Sequence, residues 1–134
     1  MVIIEWKPEY DVKIAIIDRQ HKQLTKTINE LYESFAGKED APLPTNIFKN
    51  LCDYVHIHFK TEEDLMVKYQ YPEYEEHKKE HTYCADTILE FKKEIEDGKA
   101  VTMDLLLFLI DWLHNHVLEV DIKYAPFFHS KGVS

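Results

Sequence analysis

Glycine, proline and cysteine are scarce in this chain, which has 3 Gly, 5 Pro and 2 Cys among its 134 residues. The few glycines and prolines stand where long helices would have to end, and they therefore favour helical structure. Two cysteines, Cys52 and Cys84, are too few for a disulfide framework and fit reduced thiols. The chain also lacks any apolar run near the length of about 20 residues that spans a bilayer. Its longest run is Leu105 to Ile110, so we expect no membrane association.

Basic charge is limited too, with 16 Lys and Arg against 25 Asp and Glu and a formal net charge of −9. Because there is no basic stripe, nucleic acid and anionic membranes are not expected as partners. Met1 to Trp6 has no basic region followed by a long apolar core, so we expect no signal peptide and a cytoplasmic protein. The hydrophobic content of 45% and the chain length predict one packed domain over residues 1–134.

Breaks and caps divide the chain into four predicted helices. Asp18 suits the N-cap of the first helix, and Gly37 ends it. Pro72 forces a turn between the second and third helices, and Gly98 stops the third. Because the connections are short, the sequence predicts an all-α, antiparallel, up-down-up-down four-helix bundle. The predicted segments are an irregular N-terminal arm at 1–17 and helices at about 18–36, 45–70, 73–97 and 102–124.

Each predicted helix has an apolar stripe with steps of three and four, and the same stripe also carries His or Glu. These polar positions lie early in the first and third helices and late in the second and fourth. An antiparallel bundle therefore brings them to one depth. Unpaired in a dry core, each group would cost about 1–3 kcal/mol, so a metal is favoured over the alternative of a hydrogen-bonded polar core. The positions are His21, His58, Glu62, His77, His81 and His116.

The other histidines and the cysteines do not fit this stripe as ligands. His56 and His114 each precede a stripe histidine by two residues, roughly 200° around the helix, and should face away from the core. His129 lies in the predicted tail. Cys84 is on the stripe beyond the ligand turn, and both it and Cys52 are interpreted as small core hydrophobes.

Two carboxylate positions have competitors. Glu63 competes with Glu62, but the four-residue step from His58 favours Glu62. Asp121 lies five residues beyond the last stripe histidine, about 140° away on an ideal helix, and Glu119 is its geometric competitor. Five imidazoles and two carboxylates are too many for one ion and enough for two. Their nitrogen and oxygen donors suit iron, manganese or zinc.

Several runs of the chain share the pattern of a known family. They are Trp6-x-Pro8-x-Tyr10-x-Val12, Asp18-Arg19-Gln20-His21, His58-Phe59-Lys60-Thr61-Glu62-Glu63, Tyr71-Pro72 with His77-x3-His81, and Trp112-Leu113-His114-Asn115-His116-Val117-x3-Asp121. In combination they resemble the bacterial branch of the hemerythrin family over nearly the whole chain.

The resemblance implies a non-haem di-iron centre that binds O2. One iron would be held by three histidines and the other by two, with two carboxylates and an oxo or hydroxo group bridging them. The second iron would then keep an open position for O2. A local widening near the end of the fourth helix is also implied, because Asp121 must turn inward. The implied ligands are His77, His81 and His116 for the first iron, His21 and His58 for the second, and Glu62 and Asp121 as bridges, with Phe59, Trp112 and Leu113 lining the O2 pocket.

We therefore expect reversible O2 binding for carriage, storage or scavenging, and no enzymatic turnover. Di-iron proteins of the ferritin-like class use carboxylate-rich ligand sets with Glu-x-x-His motifs, and no inward-facing Glu-x-x-His is predicted here. Neutral imidazoles instead stabilise a ferrous pair. Two alternatives stay open, a sensor that reports O2 or redox state to an unknown protein partner and a di-iron enzyme.

Overall fold

The computed structural model describes residues 4–35, 45–99 and 102–134. Each of its four long helices packs on the next in chain order, and the fourth closes the ring against the first. The predicted all-α four-helix bundle is thereby confirmed. The predicted break at Gly37 lies outside the described residues. The helices are α1 (Ala15–Phe35), α2 (Thr45–Tyr69), α3 (Tyr74–Glu96) and α4 (Thr102–Trp112).

The chain does not stop being helical at the end of α4. It widens into a π-helical segment, Leu113–Val120, tightens into a 3₁₀ turn, Asp121–Tyr124, and ends in a short helix α5, Ala125–Ser130. The sequence predicts a tail after about residue 124, so α5 is an addition to that prediction. Pro126 is in the first turn of α5, where a missing backbone N–H costs no helical hydrogen bond. None of the helices in the described ranges is long and apolar enough to cross a membrane.

Two helix ends show how the connections are made. At the end of α3, Gly98 has a φ of 85°, and Lys99 N–H donates to the carbonyl of Glu94 at 3.0 Å. At the end of α2, Gln70 has a φ of 56°, and Tyr71 N–H donates to the carbonyl of Met66 at 2.9 Å. Both are left-handed caps that satisfy terminal carbonyls and reverse the chain.

The N-terminal arm is fastened to α1, and α1 begins three residues before the predicted N-cap. The carboxylate of Asp18 accepts hydrogen bonds from the backbone N–H of Val12 at 2.7 Å and of Lys13 at 3.1 Å. Further along α1, the side-chain amide of Asn29 exchanges two 2.9 Å hydrogen bonds with the backbone of Ile4. Asp18 therefore holds the arm from within the first turn of α1 and does not cap the helix.

Two apolar clusters fill the bundle. The larger one lies towards the end of α1 and the start of α2 and includes Leu31, Leu51, Leu105 and Leu109. The smaller one lies at the other end of the bundle, which α5 and the arm cover. It includes Ile17, Met66, Tyr124 and Phe128. Between these clusters the helices carry buried histidines and carboxylates. The fold thus encloses a polar layer between two apolar ones.

Candidate metal centre

All seven ligand candidates predicted from the sequence meet in this polar layer. Each side chain is at most 4% exposed, although each is ionisable. Burying so many ionisable groups without pairing is costly, which makes the layer a candidate functional site. The seven are His21 from α1, His58 and Glu62 from α2, His77 and His81 from α3, His116 from the π-helical segment and Asp121 from the 3₁₀ turn.

The seven side chains form two groups that share a carboxylate, and each group has the close spacing of donor atoms that a metal ion requires. The group referred to below as the three-histidine group contains His77, His81, His116 and Glu62. The two-histidine group contains His21, His58, Glu62 and Asp121. All five imidazoles turn Nε2 towards the layer's centre.

Glu62 lies between the groups and offers one oxygen to each. Its Oε1 is 2.6 Å from His58 Nε2 and 3.5 Å from His21 Nε2. Its Oε2 is 2.7 Å from His77 Nε2 and 3.2 Å from His81 Nε2. This is the arrangement of a carboxylate that can bridge two ions.

Asp121 divides its oxygens in the same way. Oδ2 is 3.1 Å from His21 Nε2, whereas Oδ1 is 3.1 Å from both His77 Nε2 and His116 Nε2. Asp121 therefore reaches the three-histidine group as well as the two-histidine group. With one oxygen from Glu62 and one from Asp121 on each side, the three-histidine side has five donor atoms in total and the two-histidine side has four.

The π-helical segment explains how Asp121 reaches the centre. The backbone N–H of Asp121 donates to the carbonyl of His116, five residues earlier. A hydrogen bond over five residues belongs to a widened turn, in which residues five apart share a face. This is the local widening that the family resemblance implies. The side chain of Glu119, the geometric competitor of Asp121, lies outside the described residues.

Some buried polar atoms of the layer form no hydrogen bond, and such atoms are available as metal ligands. His116 Nε2 and Asp121 Oδ1 are buried and have no hydrogen-bond partner among the described residues. They are 3.1 Å apart, but their mutual orientation does not suit a hydrogen bond. Buried polar atoms in proteins are nearly always paired. One of these unpaired atoms is an imidazole nitrogen and the other a carboxylate oxygen, and a cation placed between them would satisfy both.

Groups outside the layer orient several of the imidazoles, and the sequence did not reveal them. Gln20 Oε1 lies 2.9 Å from His58 Nδ1, and Glu63 Oε2 lies 3.0 Å from His81 Nδ1. Glu80 Oε2 also lies 3.2 Å from the Nδ1 of His116, but this contact does not have the geometry of a hydrogen bond. An acceptor at Nδ1 keeps the proton there and leaves the Nε2 lone pair for a metal. Glu63 thus occupies this outer position, whereas Glu62 lies in the layer.

Tyr124 is a further buried group that sequence analysis missed. Its hydroxyl donates to Glu62 Oε1 at 3.2 Å, and its side chain is fully buried. Burial and the neighbouring charge of Glu62 raise the pKa of this phenol well above its usual value. Tyr124 therefore remains a neutral donor that holds the carboxylate in place.

The electrostatics of the metal-free layer are those of carboxylates paired with imidazolium. Burial lowers the pKa of His58, but the charge of Glu62 and the nearby Asp121 outweigh it and raise the pKa to about 9. The same balance of burial against Asp121 and Glu62 raises the pKa of His77 to about 10. Burial opposes ionisation of Glu62, but His58 and His21 hold its pKa well below the usual range. A metal ion would replace the protons in this network.

The predicted pocket residues surround the layer on its apolar side. Phe59 stacks on His81, with ring centroids 4.0 Å apart, and Trp112 stacks on His116 at 4.3 Å. The two aromatic rings also contact each other at 5.2 Å. Leu113 is buried in the same apolar cluster as Phe59. Apolar side chains therefore cover the centre where it meets the larger cluster.

The histidines and cysteines that the sequence analysis set aside lie away from the layer. His56, His114 and His129 are exposed. Cys84 is fully buried in the larger apolar cluster, and burial raises the pKa of its thiol to about 12. Cys52 packs against the same cluster. A thiol with so high a pKa is a poor source of thiolate ligand.

The fold and the layer together define a four-helix-bundle protein with a buried, two-part histidine and carboxylate site for cations. The chain belongs to the hemerythrin family, since the family model for the hemerythrin HHE cation binding domain matches residues 12–128. The resemblance seen in the sequence is thereby confirmed.

The similarity to individual relatives extends over most of the length of both chains. The chain is 32% identical over 128 residues to the bacteriohemerythrin of Methylococcus capsulatus, covering 94% of this chain and 97% of the relative. It is 26% identical over 120 residues to the myohemerythrin of Theromyzon tessulatum, covering 90% and 89%. A crystal structure of wild-type hemerythrin superimposes with a TM-score of 0.83 at 31% identity, covering 92% of this chain and 96% of that one.

Proposed function

We propose that this protein binds O2 reversibly at a pair of iron ions held in the polar layer. The observation that carries the proposal is the division of ligands into a three-histidine and a two-histidine group that share two carboxylates. Relatives named bacteriohemerythrin and myohemerythrin support the choice of iron over manganese or zinc. The proposed ligands are His77, His81 and His116 for one iron, His21 and His58 for the other, and Glu62 and Asp121 as bridges.

The two carboxylates would set the spacing of a bound pair of ions. Glu62 and Asp121 each direct one oxygen to each group, so α2 and the 3₁₀ turn would hold the two ions relative to one another. Tyr124 further restrains Glu62 through its hydroxyl. An oxo or hydroxo group would complete the bridge. When bound, a reduced iron pair supplies the electrons that make O2 binding possible.

We place O2 on the side of the layer that has fewer protein donors. Five protein donor atoms face the three-histidine position, and four face the two-histidine position, as Glu62 and Asp121 contribute to both. An ion held by His21 and His58 would therefore be the one with room for a further ligand. Such an open coordination position is what distinguishes a reactive metal site from a structural one.

The apolar surroundings serve release as well as binding. Phe59, Trp112 and Leu113 border the layer and exclude water from it. Water and protons would otherwise help to expel reduced oxygen and leave an oxidised centre that no longer binds O2. We propose these three residues as the wall of the O2 pocket.

Donor type argues for carriage and against enzymatic oxidation. The layer contains five imidazoles, which would bind a metal as neutral ligands, and two carboxylates, whereas oxidising di-iron sites in four-helix bundles are rich in carboxylates. Imidazoles favour the ferrous state and give less support to highly oxidised iron. We infer that the protein is a binder and not an enzyme. Sustained O2 consumption with a turned-over substrate would contradict that inference.

The experiment combines metal analysis with an O2 cycle. The purified protein is expected to carry two irons per chain, and its reduced form should change its visible spectrum in air and change back after degassing. Protein that binds zinc in place of iron, or iron-loaded protein whose spectrum does not reverse, would reject the proposed function. The matched control is the His77→Ala variant, which should show no O2-dependent change.

A further inference from the structure

The outer nitrogens of the metal-facing histidines meet different acceptors on the two sides of the layer. On the three-histidine side, His81 Nδ1 hydrogen-bonds the carboxylate of Glu63 at 3.0 Å, and His116 Nδ1 lies 3.2 Å from the carboxylate of Glu80 without hydrogen-bond geometry. On the two-histidine side, His58 faces the neutral amide of Gln20 at 2.9 Å. The difference in charge between the two sides is therefore built into the residues behind the ligands.

The orientation of the Gln20 amide is fixed by a chain of hydrogen bonds. The Thr61 hydroxyl donates to the carbonyl of Ile57 at 2.9 Å, so its oxygen can accept from Gln20 Nε2, also at 2.9 Å. The amide nitrogen is thereby directed to Thr61 and the amide oxygen to His58 Nδ1. Because an amide oxygen only accepts, Nδ1 of His58 carries a proton, and Nε2 is the nitrogen that would bind a metal in place of its contact with Glu62.

The second histidine of this side has no comparable support. His21 Nδ1 is buried and has no hydrogen-bond partner within the described ranges. Orientation and donor strength on the two-histidine side therefore depend on Gln20. An imidazole that donates to a carboxylate becomes a more basic ligand than one that donates to an amide.

We propose that Gln20 is a positioning residue that selects the metal-binding nitrogen of His58 and, being neutral, keeps the two-histidine position the weaker electron donor of the pair. This inference rests on the proposed function, which places O2 at that position. A weaker donor holds its ferrous ion against irreversible oxidation. Gln20 would therefore favour the release of bound O2 over irreversible oxidation of the iron to a form that no longer binds O2.

The first test is a Co²⁺ titration of the metal-free protein. Gln20→Met removes the acceptor and should weaken one of the two binding steps by about 10–100-fold, the usual effect of losing an orienting partner. Gln20→Glu keeps an acceptor and should restore that step. Gln23→Met is the matched control, because Gln23 is on the same helix and its amide lies 3.5 Å from Thr27 Oγ1. Tight binding of both ions by Gln20→Met would overturn the proposal.

The second test separates charge from orientation. In iron-loaded Gln20→Glu, the O2-binding form should be lost in air about tenfold faster than in the parent. Gln23→Glu adds the same charge on the same helix, where the Gln23 amide contacts Thr27, and should not accelerate this loss. A Gln20→Glu variant as durable as the parent would overturn the proposal.

Failure of the proposed function would look different. A parent that binds two Co²⁺ ions but shows no O2 cycle with iron would reject O2 binding, while a weakened step in Gln20→Met would still support the role of Gln20. A parent that cycles with O2 while Gln20→Met binds both ions normally would reject the role of Gln20 alone.

Discussion

The backbone N–H of Asp121 donates to the carbonyl of His116, five residues before it. This widened turn brings both side chains into the polar layer. The Asp121 carboxylate then lies 3.1 Å from His21 Nε2 with one oxygen and 3.1 Å from His77 Nε2 with the other. A π-helical turn thus brings in the second carboxylate that contacts both histidine groups. Irregular turns of this kind are frequent at functional sites.

Asp121→Asn is expected to lower the iron content to less than that of the parent, since an amide cannot offer two anionic oxygens to a pair of cations. Iron per chain is measured after purification under identical loading. Glu119→Gln tests the competing carboxylate and should retain full loading. Loss of iron in Glu119→Gln with normal loading in Asp121→Asn would reverse the assignment.

His77→Ala should abolish stable loading of the pair, because it removes a donor that contacts both carboxylates. Metal analysis and the visible spectrum report the loss. His56→Ala is the comparison variant, since His56 is on the same bundle but exposed. Equal iron content in the two variants would show that the buried histidines do not hold the metal.

Tyr124→Phe removes the hydroxyl that donates to Glu62 without changing the shape of the ring. Because the acceptor is a buried carboxylate, the free energy of unfolding of the metal-free protein should fall by about 1–3 kcal/mol. Chemical denaturation measures it. Tyr83→Phe alters a ring that is 62% exposed and should change the stability by less than about 0.5 kcal/mol. An unchanged stability in Tyr124→Phe would mean that the contact with Glu62 contributes nothing.

The stability of the metal-free protein should depend on alkaline pH. The folded-state pKa values of His58 and His77 are raised to about 9 and about 10, so their contribution is fully present below their ordinary value of 6.5. It is lost as the pH rises through 9 and 10. Melting temperatures measured from pH 7 to 10 should therefore fall for the metal-free protein. The iron-loaded protein should fall less, because its imidazoles bind metal and carry no extra proton; identical slopes would contradict this.

Much of the layer could be predicted from the sequence, since a helix repeats every 3.6 residues and the histidines share stripes with Leu, Ile and Phe. His21, His58 and His81 were predicted from their places on those stripes together with the antiparallel order of the helices, which brings them to one depth. Asp121 could not be placed in this way, because a helical wheel assumes an ideal helix and the chain widens before it. The resemblance to hemerythrins supplied that residue in advance.

Other features were missed for different physical reasons. Helix α5 has six residues, which is too short for an apolar period to appear. Asp18 is of a residue type that favours the N-cap position, but its carboxylate accepts hydrogen bonds from the backbone of the arm. The residues next to Asp18 in the sequence do not reveal that contact. Gln20 and Glu63 support histidines on neighbouring helices. Such contacts depend on side-chain direction across the bundle and not on spacing along one helix.

The central claim is tested most directly by one optical measurement. Iron-loaded protein is reduced under inert gas, exposed to O2 and then degassed, with the visible spectrum recorded at each stage. We predict a new absorption band in O2 that disappears on degassing and returns over repeated cycles. A spectrum that does not respond to O2, or that changes once and never returns, would contradict the account.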